Sequence, residues 1–152
     1  MLKNRINSKL SSMAKRKLLF IVGEHKTGKT EEIQSFLKEK FGDSWIDYYI
    51  DLGLHLQNEI SQDQIDTYSF FPQEFENDSL TIIKNLLKKN QVNFFVLDHC
   101  EWLFSENQTE WLKLLMRETE DKRTIILIVP EEYKGYVPIH AYSFIEWEGG
   151  LL

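Results

Sequence analysis

The sequence contains a single cysteine, Cys100, so the chain cannot form an internal disulfide bond. Nothing in its cysteine content therefore points to an oxidising compartment. No apolar run approaches the roughly 20 residues that a membrane-spanning helix needs. The basic N-terminus also lacks the apolar segment of a signal peptide. We therefore expect a cytoplasmic protein that makes no contact with a membrane.

Positive charge is also scarce. The chain has 18 Lys and Arg residues against 24 Asp and Glu residues, and its formal net charge is −6. This balance argues against a dedicated nucleic-acid-binding surface, so contact with nucleic acid would be indirect, through partners. With 152 residues, 42% of them hydrophobic, and no repeat or Pro/Gly-rich linker, the sequence fits a chain with one substantial core.

The stretch KLLFIVGEHKTGKT, residues 17–30, predicts a buried strand, a loop and the start of a helix. Its last eight residues fit G-x-x-x-x-G-K-[ST], the phosphate-binding loop. Lys29 would reach the β- and γ-phosphates of a nucleotide, and Thr30 would supply a hydroxyl for Mg²⁺. The predicted nucleotide-binding residues are Gly23, Glu24, His25, Lys26, Thr27, Gly28, Lys29 and Thr30. The alternative is a strand–turn–helix in which Gly-Lys-Thr occurs by chance.

Apolar runs predict five strands, which alternate with helical patterns and so imply a parallel sheet in a three-layer α/β fold. The strands are expected at residues 18–22, 45–50, 92–98, 123–130 and 142–147. We expect an N-terminal amphipathic helix in residues 1–16 and a nucleotide-binding domain in residues 17–152. Residues 61–77 are predicted as a polar loop, and Asp78 or Ser79 as the cap of the following helix.

The third predicted strand is apolar on both faces and ends in Asp98, as expected of a central parallel strand. In phosphate-loop folds, an acid at the carboxyl end of a neighbouring strand holds Mg²⁺ through its water shell. We therefore predict that Thr30 and Asp98 are the magnesium-binding residues. The alternative for Asp98 is an acid that caps the loop after the strand.

Hydrolysis would also need a group that orients a water molecule. Glu101, three residues after Asp98, is the candidate for this base, and an ordinary loop acid is the alternative. Arg117 and Arg123 are candidate arginine fingers acting on a neighbour's nucleotide, with surface arginines as the alternative. No polar side chain for a sensor role occurs in residues 128–130.

The motif set resembles the additional-strand (ASCE, AAA-like) P-loop ATPases. Residues 50–60 and the segment LDHCEWLF, residues 97–104, are similar to motifs of the small P-loop (BrxF-type) proteins of BREX phage-defence systems. In that family the second motif is L-D-N-[I]-E-x-L-F, and in the wider ATPase class glutamate usually follows the aspartate, where this chain has His99. The family's arginine-rich segment before the fourth strand is reduced here to Arg117 and Arg123.

The resemblance implies a strand order of 5-1-4-3-2, no helical lid domain, and ATP and Mg²⁺ as ligands. It also implies a role in bacterial antiviral defence, within a homo-oligomer or a complex with other defence proteins. Partner contacts are expected at exposed aromatic residues. The residues expected to form this patch are Phe70, Phe71, Phe75, Trp102 and Phe104.

Three functions are therefore compatible with the sequence. The first is a slow or partner-activated ATPase. The second is a nucleotide-sensing adaptor without hydrolysis, which is favoured by His99 and by the missing sensor residue. The third is a small P-loop kinase, although the arginine-rich lid that it would need is not evident. A GTPase is disfavoured because the base-reading motif N-K-x-D does not occur.

Overall fold

A computed structural model describes residues 2–12, 17–24, 28–90, 92–106, 108–121, 123–138 and 142–147. Its centre is a five-stranded sheet in which every pairing is parallel. The strands are β1 (Leu18–Gly23), β2 (Tyr49–Asp51), β3 (Phe94–Asp98), β4 (Thr124–Pro130) and β5 (Ser143–Trp147). Their order in the sheet is β2-β3-β4-β1-β5, which confirms the predicted order 5-1-4-3-2.

Helices flank the sheet and connect its strands. They are α1 (Leu2–Ser12), α2 (Lys29–Phe41), α3 (Leu52–Glu59), α4 (Gln62–Tyr68), α5 (Pro72–Lys89), α6 (Glu101–Ser105) and α7 (Glu110–Asp121). Two 3₁₀ helices lie at Gly42–Tyr48 and Glu131–Tyr136. In the part of the chain that the structure describes, no helix is both long enough and apolar enough to cross a membrane.

Strand β1 is buried along its whole length because apolar residues occupy both of its faces. Leu19 and Ile21 belong to a hydrophobic cluster that includes residues of α1 and α2. Phe20 and Val22 belong to a second cluster, which includes residues of α3, α5, α6 and α7. The sheet thus separates two hydrophobic clusters, an arrangement compatible with the predicted three layers.

Helix α1 is anchored to the core rather than projecting from it. Leu2 and Ile6 are fully buried, and the helix contacts α2 and β5. At its solvent side Lys3 Nζ lies 2.7 Å from Glu39 Oε2 on α2. The predicted helix 1–16 is confirmed over the eleven residues of α1, and residues 13–16 lie outside the described residues.

The predicted second strand, residues 45–50, is wrong over most of its length. Residues Gly42–Tyr48 form a 3₁₀ helix, and only Tyr49–Asp51 pair with β3. Aromatic side chains, whose abundance suggested a strand, pack instead on the end of α2. The rings of Phe41 and Tyr48 stack with their centroids 3.7 Å apart. Local aromatic packing therefore outweighs strand propensity here.

The prediction of a polar loop at residues 61–77 is also wrong. Ser61 begins α4 with a capping box, in which its side chain and that of Gln64 each accept a backbone N–H. Helix α5 begins at Pro72, well before the predicted cap at Asp78 or Ser79. Proline fits the first turn of a helix because its missing N–H has no partner to lose there.

Asp78 joins α4 to α5 instead of capping a helix. Its Oδ2 accepts hydrogen bonds from the Tyr68 hydroxyl at 2.7 Å and from Gln64 Nε2 at 3.1 Å. A polar side chain that suggested a helix start in the sequence is therefore a contact between two helices.

The predicted aromatic patch is only partly exposed. Phe70 and Phe71 expose 80% and 63% of their surface, as expected. Phe75 and Phe104 are buried, and Trp102 stacks on Phe75. Of the five residues predicted to form the patch, only Phe70 and Phe71, in the turn between α4 and α5, are well exposed.

Candidate phosphate-binding site

The predicted site residues converge at the edge of the sheet where the strands end. Strand β1 ends at Gly23 and β3 ends at Asp98, while α2 begins at Lys29. In parallel α/β folds, ligands bind in the crevice beyond the carboxyl ends of the strands. The amino end of α2 faces this edge, where its free N–H groups and its dipole favour an anion.

Gly23 and Gly28 lie where a side chain would cause a steric clash or backbone strain. A Cβ atom on Gly23 would lie 2.5 Å from the Trp147 carbonyl oxygen and 3.0 Å from Lys29 Cδ. Gly28 has φ of 80°, a left-handed conformation that L side chains rarely adopt. The backbone around each position therefore explains why both residues of the predicted motif are glycine. Its central residues, His25, Lys26 and Thr27, lie outside the described residues.

The ammonium group of Lys29 lies against the end of β1, and only 8% of the residue is exposed. Its Nζ donates hydrogen bonds to the carbonyl oxygens of Gly23, at 2.7 Å, and Glu24, at 2.5 Å. Burial lowers the pKa of Lys29 below its usual value, against the opposing effect of nearby acids. These acids are Asp98, Glu101, Glu131 and Glu24. The lysine is therefore a desolvated cation held by weak neutral acceptors, which an anionic ligand could replace.

Asp98 is 3% exposed, and hydrogen bonds reach both of its carboxylate oxygens. Oδ2 accepts from Thr30 Oγ1 at 2.9 Å and from the Tyr49 hydroxyl at 2.7 Å. Oδ1 accepts from the backbone N–H of His99 at 2.8 Å. The fold thus brings Thr30 and Asp98, which are 68 residues apart in the sequence, into direct contact.

The turn after β3 begins with His99 in an uncommon left-handed conformation, next to Asp98. His99 has φ of 60°, which is uncommon for a residue with a side chain, although histidine tolerates it better than most. This conformation accompanies the hydrogen bond from the His99 N–H to the Asp98 carboxylate. Gly53 packs directly against the turn, where a Cβ atom would lie 2.7 Å from the His99 carbonyl oxygen.

Two adjoining cavities open at this edge. One, of about 240 Å³, is lined by Gly28, Lys29, Thr30, Glu31, Asp98, His99, Glu101, Ile128 and Pro130. Its neighbour, of about 430 Å³, is lined by Asp51, Gly53, Leu54, Gln57, His99, Glu101 and Trp102. His99 and Glu101 line both cavities. Glu101, the predicted catalytic base, therefore lies on the boundary beside Lys29 and Asp98.

The two candidate arginine fingers lie elsewhere. Arg117 is on α7 and lines a separate cavity with Glu120 and Tyr142. Arg123 precedes β4, at the opposite edge of the sheet from the two cavities. Within one chain, therefore, neither arginine joins the predicted nucleotide residues.

The contacts of Arg123 favour a structural role. One terminal nitrogen donates to the Asn90 carbonyl oxygen at 2.6 Å, and Nε lies 3.7 Å from Glu118 Oε2. The guanidinium carbon lies 5.8 Å from the ring centre of Phe95. Its Nη1 is buried and has no hydrogen-bond partner among the described residues. A role as a finger in a second copy would require Arg123 to leave these contacts.

Sequence reasoning missed Tyr49. Its hydroxyl donates a hydrogen bond to Asp98 Oδ2 at 2.7 Å. The position of Tyr49 depends on how β2 aligns with β3, which no local sequence pattern reports.

The oxygen atoms of Thr30 and Asp98 suit Mg²⁺, which prefers oxygen ligands and retains several waters. Their separation of 2.9 Å would let one magnesium ion contact the hydroxyl while the carboxylate accepts from a bound water. The described residues contain no group of three or more His, Cys, Asp or Glu side chains that could hold a metal. Magnesium bound here would therefore take most of its ligands from water and phosphate.

Comparison of the chain with protein-family models, with curated proteins and with solved structures finds no match. Support for a function of this chain therefore comes from the geometry of the site and from the sequence motifs.

Proposed function

We propose that the chain is a P-loop protein that binds Mg-ATP and acts as a slow or partner-activated ATPase. The observation that supports this most is the contact between Thr30 and Asp98. These residues come from two motifs that are far apart in the sequence, and each was predicted as a magnesium-binding group. Their meeting beside a buried lysine, at the carboxyl edge of a parallel sheet, is what a phosphate-binding site requires.

In this proposal the buried ammonium of Lys29 exchanges two carbonyl acceptors for phosphate oxygens. Charge-assisted hydrogen bonds of this kind are roughly twice as strong as neutral ones. The first N–H groups of α2 donate to the phosphates. Thr30 binds the magnesium ion, and Asp98 accepts a hydrogen bond from a water on that ion. Magnesium supplies charge neutralisation at the β- and γ-phosphates.

Hydrolysis by the isolated chain should be slow, because no arginine lines the 240 Å³ cavity among the described residues. An arginine supplied by a neighbour accelerates phosphoryl transfer by about 10³–10⁵-fold. We infer that a second copy or another protein completes the site, and that the exposed Phe70 and Phe71 contribute to contact with partners. The resemblance to BrxF-type proteins supports a bacterial anti-phage defence complex as the setting.

The direct test is calorimetric titration of the purified chain with Mg-ATP, combined with phosphate release and analytical ultracentrifugation. We expect ATP to bind, little phosphate to be released, and ATP to shift the protein toward larger assemblies. Absence of ATP binding would contradict the proposed function. Rapid hydrolysis by a monomer would contradict only the inference that a second copy or another protein completes the site.

Glu101→Gln should leave Mg-ATP affinity unchanged and slow whatever turnover is measured, by about 10²-fold or more. The substitution removes a base at the cavity boundary without removing a phosphate or magnesium ligand. Glu106→Gln is the matched control, because Glu106 is exposed at the end of the same helix and lines neither cavity. Equal turnover in the two variants would assign the water-positioning role to another group.

A non-hydrolysing adaptor is the second candidate. It is favoured by His99, which occupies the position directly after Asp98 where hydrolytic relatives of this class usually carry glutamate. An adaptor would bind Mg-ATP and change its association state, with phosphate release at background level even when partners are present. The phosphate-release assay with partners therefore separates the two candidates.

The 430 Å³ cavity leaves a small kinase as a further alternative, because it adjoins the candidate site. An acceptor molecule in that cavity would border the same Glu101 and His99 that line the candidate site. A kinase would transfer the phosphoryl group to that acceptor, which gives ADP without release of inorganic phosphate.

A further inference from the structure

The Asp98 carboxylate is unusually constrained for a group expected to serve a metal. An ionised carboxylate has about four lone-pair positions. Three are engaged by Thr30, Tyr49 and the His99 N–H, at distances of 2.9, 2.7 and 2.8 Å. A carboxylate held in this way has room for one further donor. It suits a single hydrogen bond from a metal-bound water better than direct, two-oxygen coordination of the ion.

Tyr49 is the donor that no phosphate-site motif explains. It lies at the start of β2, in register with Val96 of β3, and reaches across to the end of that strand. Its hydroxyl has no role in binding phosphate, since Tyr49 does not line the 240 Å³ cavity. Burial, followed by the contact with Asp98, raises the pKa of Tyr49, so the hydroxyl remains a proton donor.

Two elements hold Asp98 Oδ2, because the hydroxyls of Thr30 on α2 and Tyr49 on β2 both donate hydrogen bonds to it. Loss of the Tyr49 hydroxyl would leave Oδ2 held by Thr30 alone, so this oxygen could shift toward His99, whose Nε2 lies 3.7 Å from Oδ2.

We propose that Tyr49 is a positioning residue, whose hydroxyl holds Asp98 in the orientation that accepts a hydrogen bond from a magnesium-bound water. This inference rests on the proposed Mg-ATP function and assigns it a residue outside both motifs. Partners that orient a metal-binding group typically change metal affinity by about 10- to 100-fold when they are removed.

The test compares Tyr49→Phe with Tyr48→Phe. Tyr48 is the matched control, because its ring stacks on Phe41 and its hydroxyl is not bonded to Asp98. The measured quantity is the magnesium gain, defined as the ATP affinity in Mg²⁺ divided by the ATP affinity in EDTA, both from calorimetry. Tyr49→Phe should reduce the gain roughly tenfold and leave the affinity in EDTA unchanged, while Tyr48→Phe should change neither.

A purely structural role for Tyr49 would lower both affinities together or neither, so the ratio separates the two roles. A wild-type gain retained by Tyr49→Phe would overturn the inference and leave the proposed function intact. Absence of ATP binding in the wild-type protein would overturn both. In an Asp98→Asn background, Tyr49→Phe should have no further effect on the gain.

A second variant covers the case in which Tyr49→Phe does not fold. Tyr49→Met also removes the hydroxyl that donates to Asp98, and its flexible apolar side chain can adapt to this half-buried position. It should reduce the magnesium gain in the same direction, and an unchanged gain in this variant would overturn the inference.

Discussion

Lys29→Ala should lower the affinity for Mg-ATP by about 100-fold, the effect of losing a charge-assisted contact to phosphate in a partly desolvated site. The fold should survive the substitution. The ammonium is desolvated, and the hydrogen bonds that the structure describes for it go to the neutral carbonyl oxygens of Gly23 and Glu24, so removing it relieves the cost of burying a charge. A thermal melt should therefore lie within a few degrees of that of the wild-type protein.

The matched control is Lys40→Ala, which removes the same charge from the exposed last turn of the same helix. Its affinity for Mg-ATP should equal that of the wild-type protein. If Lys29→Ala and Lys40→Ala bind Mg-ATP equally well, Lys29 does not contact phosphate and the phosphate-loop interpretation fails.

The burial of Lys29 also predicts a pH dependence with a definite sign. Burial lowers the pKa of Lys29 in the folded protein below its usual value, so the unfolded chain binds more protons as the pH approaches 10.5. This lysine therefore makes the free protein more stable as the pH rises toward 10.5. Bound phosphate favours the ammonium form and reverses the trend, so ATP affinity should fall over the same range. Lys29→Ala should remove both trends.

Asp98→Ala should abolish the magnesium gain and also destabilise the protein by about 1–3 kcal/mol, because it leaves three half-buried donors without an acceptor. The donors are the hydroxyls of Thr30 and Tyr49 and the backbone N–H of His99. Asp98→Asn should lose the magnesium gain as well, since the amide carries no charge. It should cost less stability, because its carbonyl oxygen still accepts hydrogen bonds. Urea denaturation and calorimetry measure the two effects separately.

Asp51→Asn is the matched control for Asp98→Asn, because it removes one negative charge from the neighbouring strand. Asp51 lies directly opposite Asp98 in the pairing of β2 with β3, and its side chain caps α3 by accepting the Leu54 N–H at 3.0 Å. Asparagine caps helices about as well as aspartate, so stability should be retained. The magnesium gain should also be retained. If Asp98→Ala retains the magnesium gain, the Asp98 carboxylate has no part in binding the magnesium ion.

The sheet could be predicted from the sequence because the three central strands are apolar on both faces and each exceeds four residues. The edge strand β2 could not, because its few paired residues follow aromatic side chains that pack on α2 instead. The predicted loop at residues 61–77 concealed two helices for a similar reason. Its polar side chains cap α4 and join it to α5, which a count of polar residues does not reveal.

The candidate site was predictable only where a motif specified it. Spacing within the sequence indicated Lys29, Thr30 and Asp98, and the fold brings the last two into contact. Tyr49 was missed because its contact depends on the register of two strands, which no local pattern reports. Arg117 and Arg123 were indicated by residue type and by a position before the fourth strand, and within one chain the structure places both away from the cavity.

The close packing of Gly53 against the His99 carbonyl has a consequence for recognising distant homologues. A side chain at position 53 would displace the turn that carries Asp98, and a β-branched residue at position 99 would resist the left-handed conformation. Divergent members of one lineage should therefore keep glycine at position 53, and Asn, Asp, His or Gly at position 99. The motif G-x-x-x-x-G-K-[ST] is short enough to recur by chance. The residue types at positions 53 and 99 therefore give a second criterion, independent of the motif, for recognising homologues.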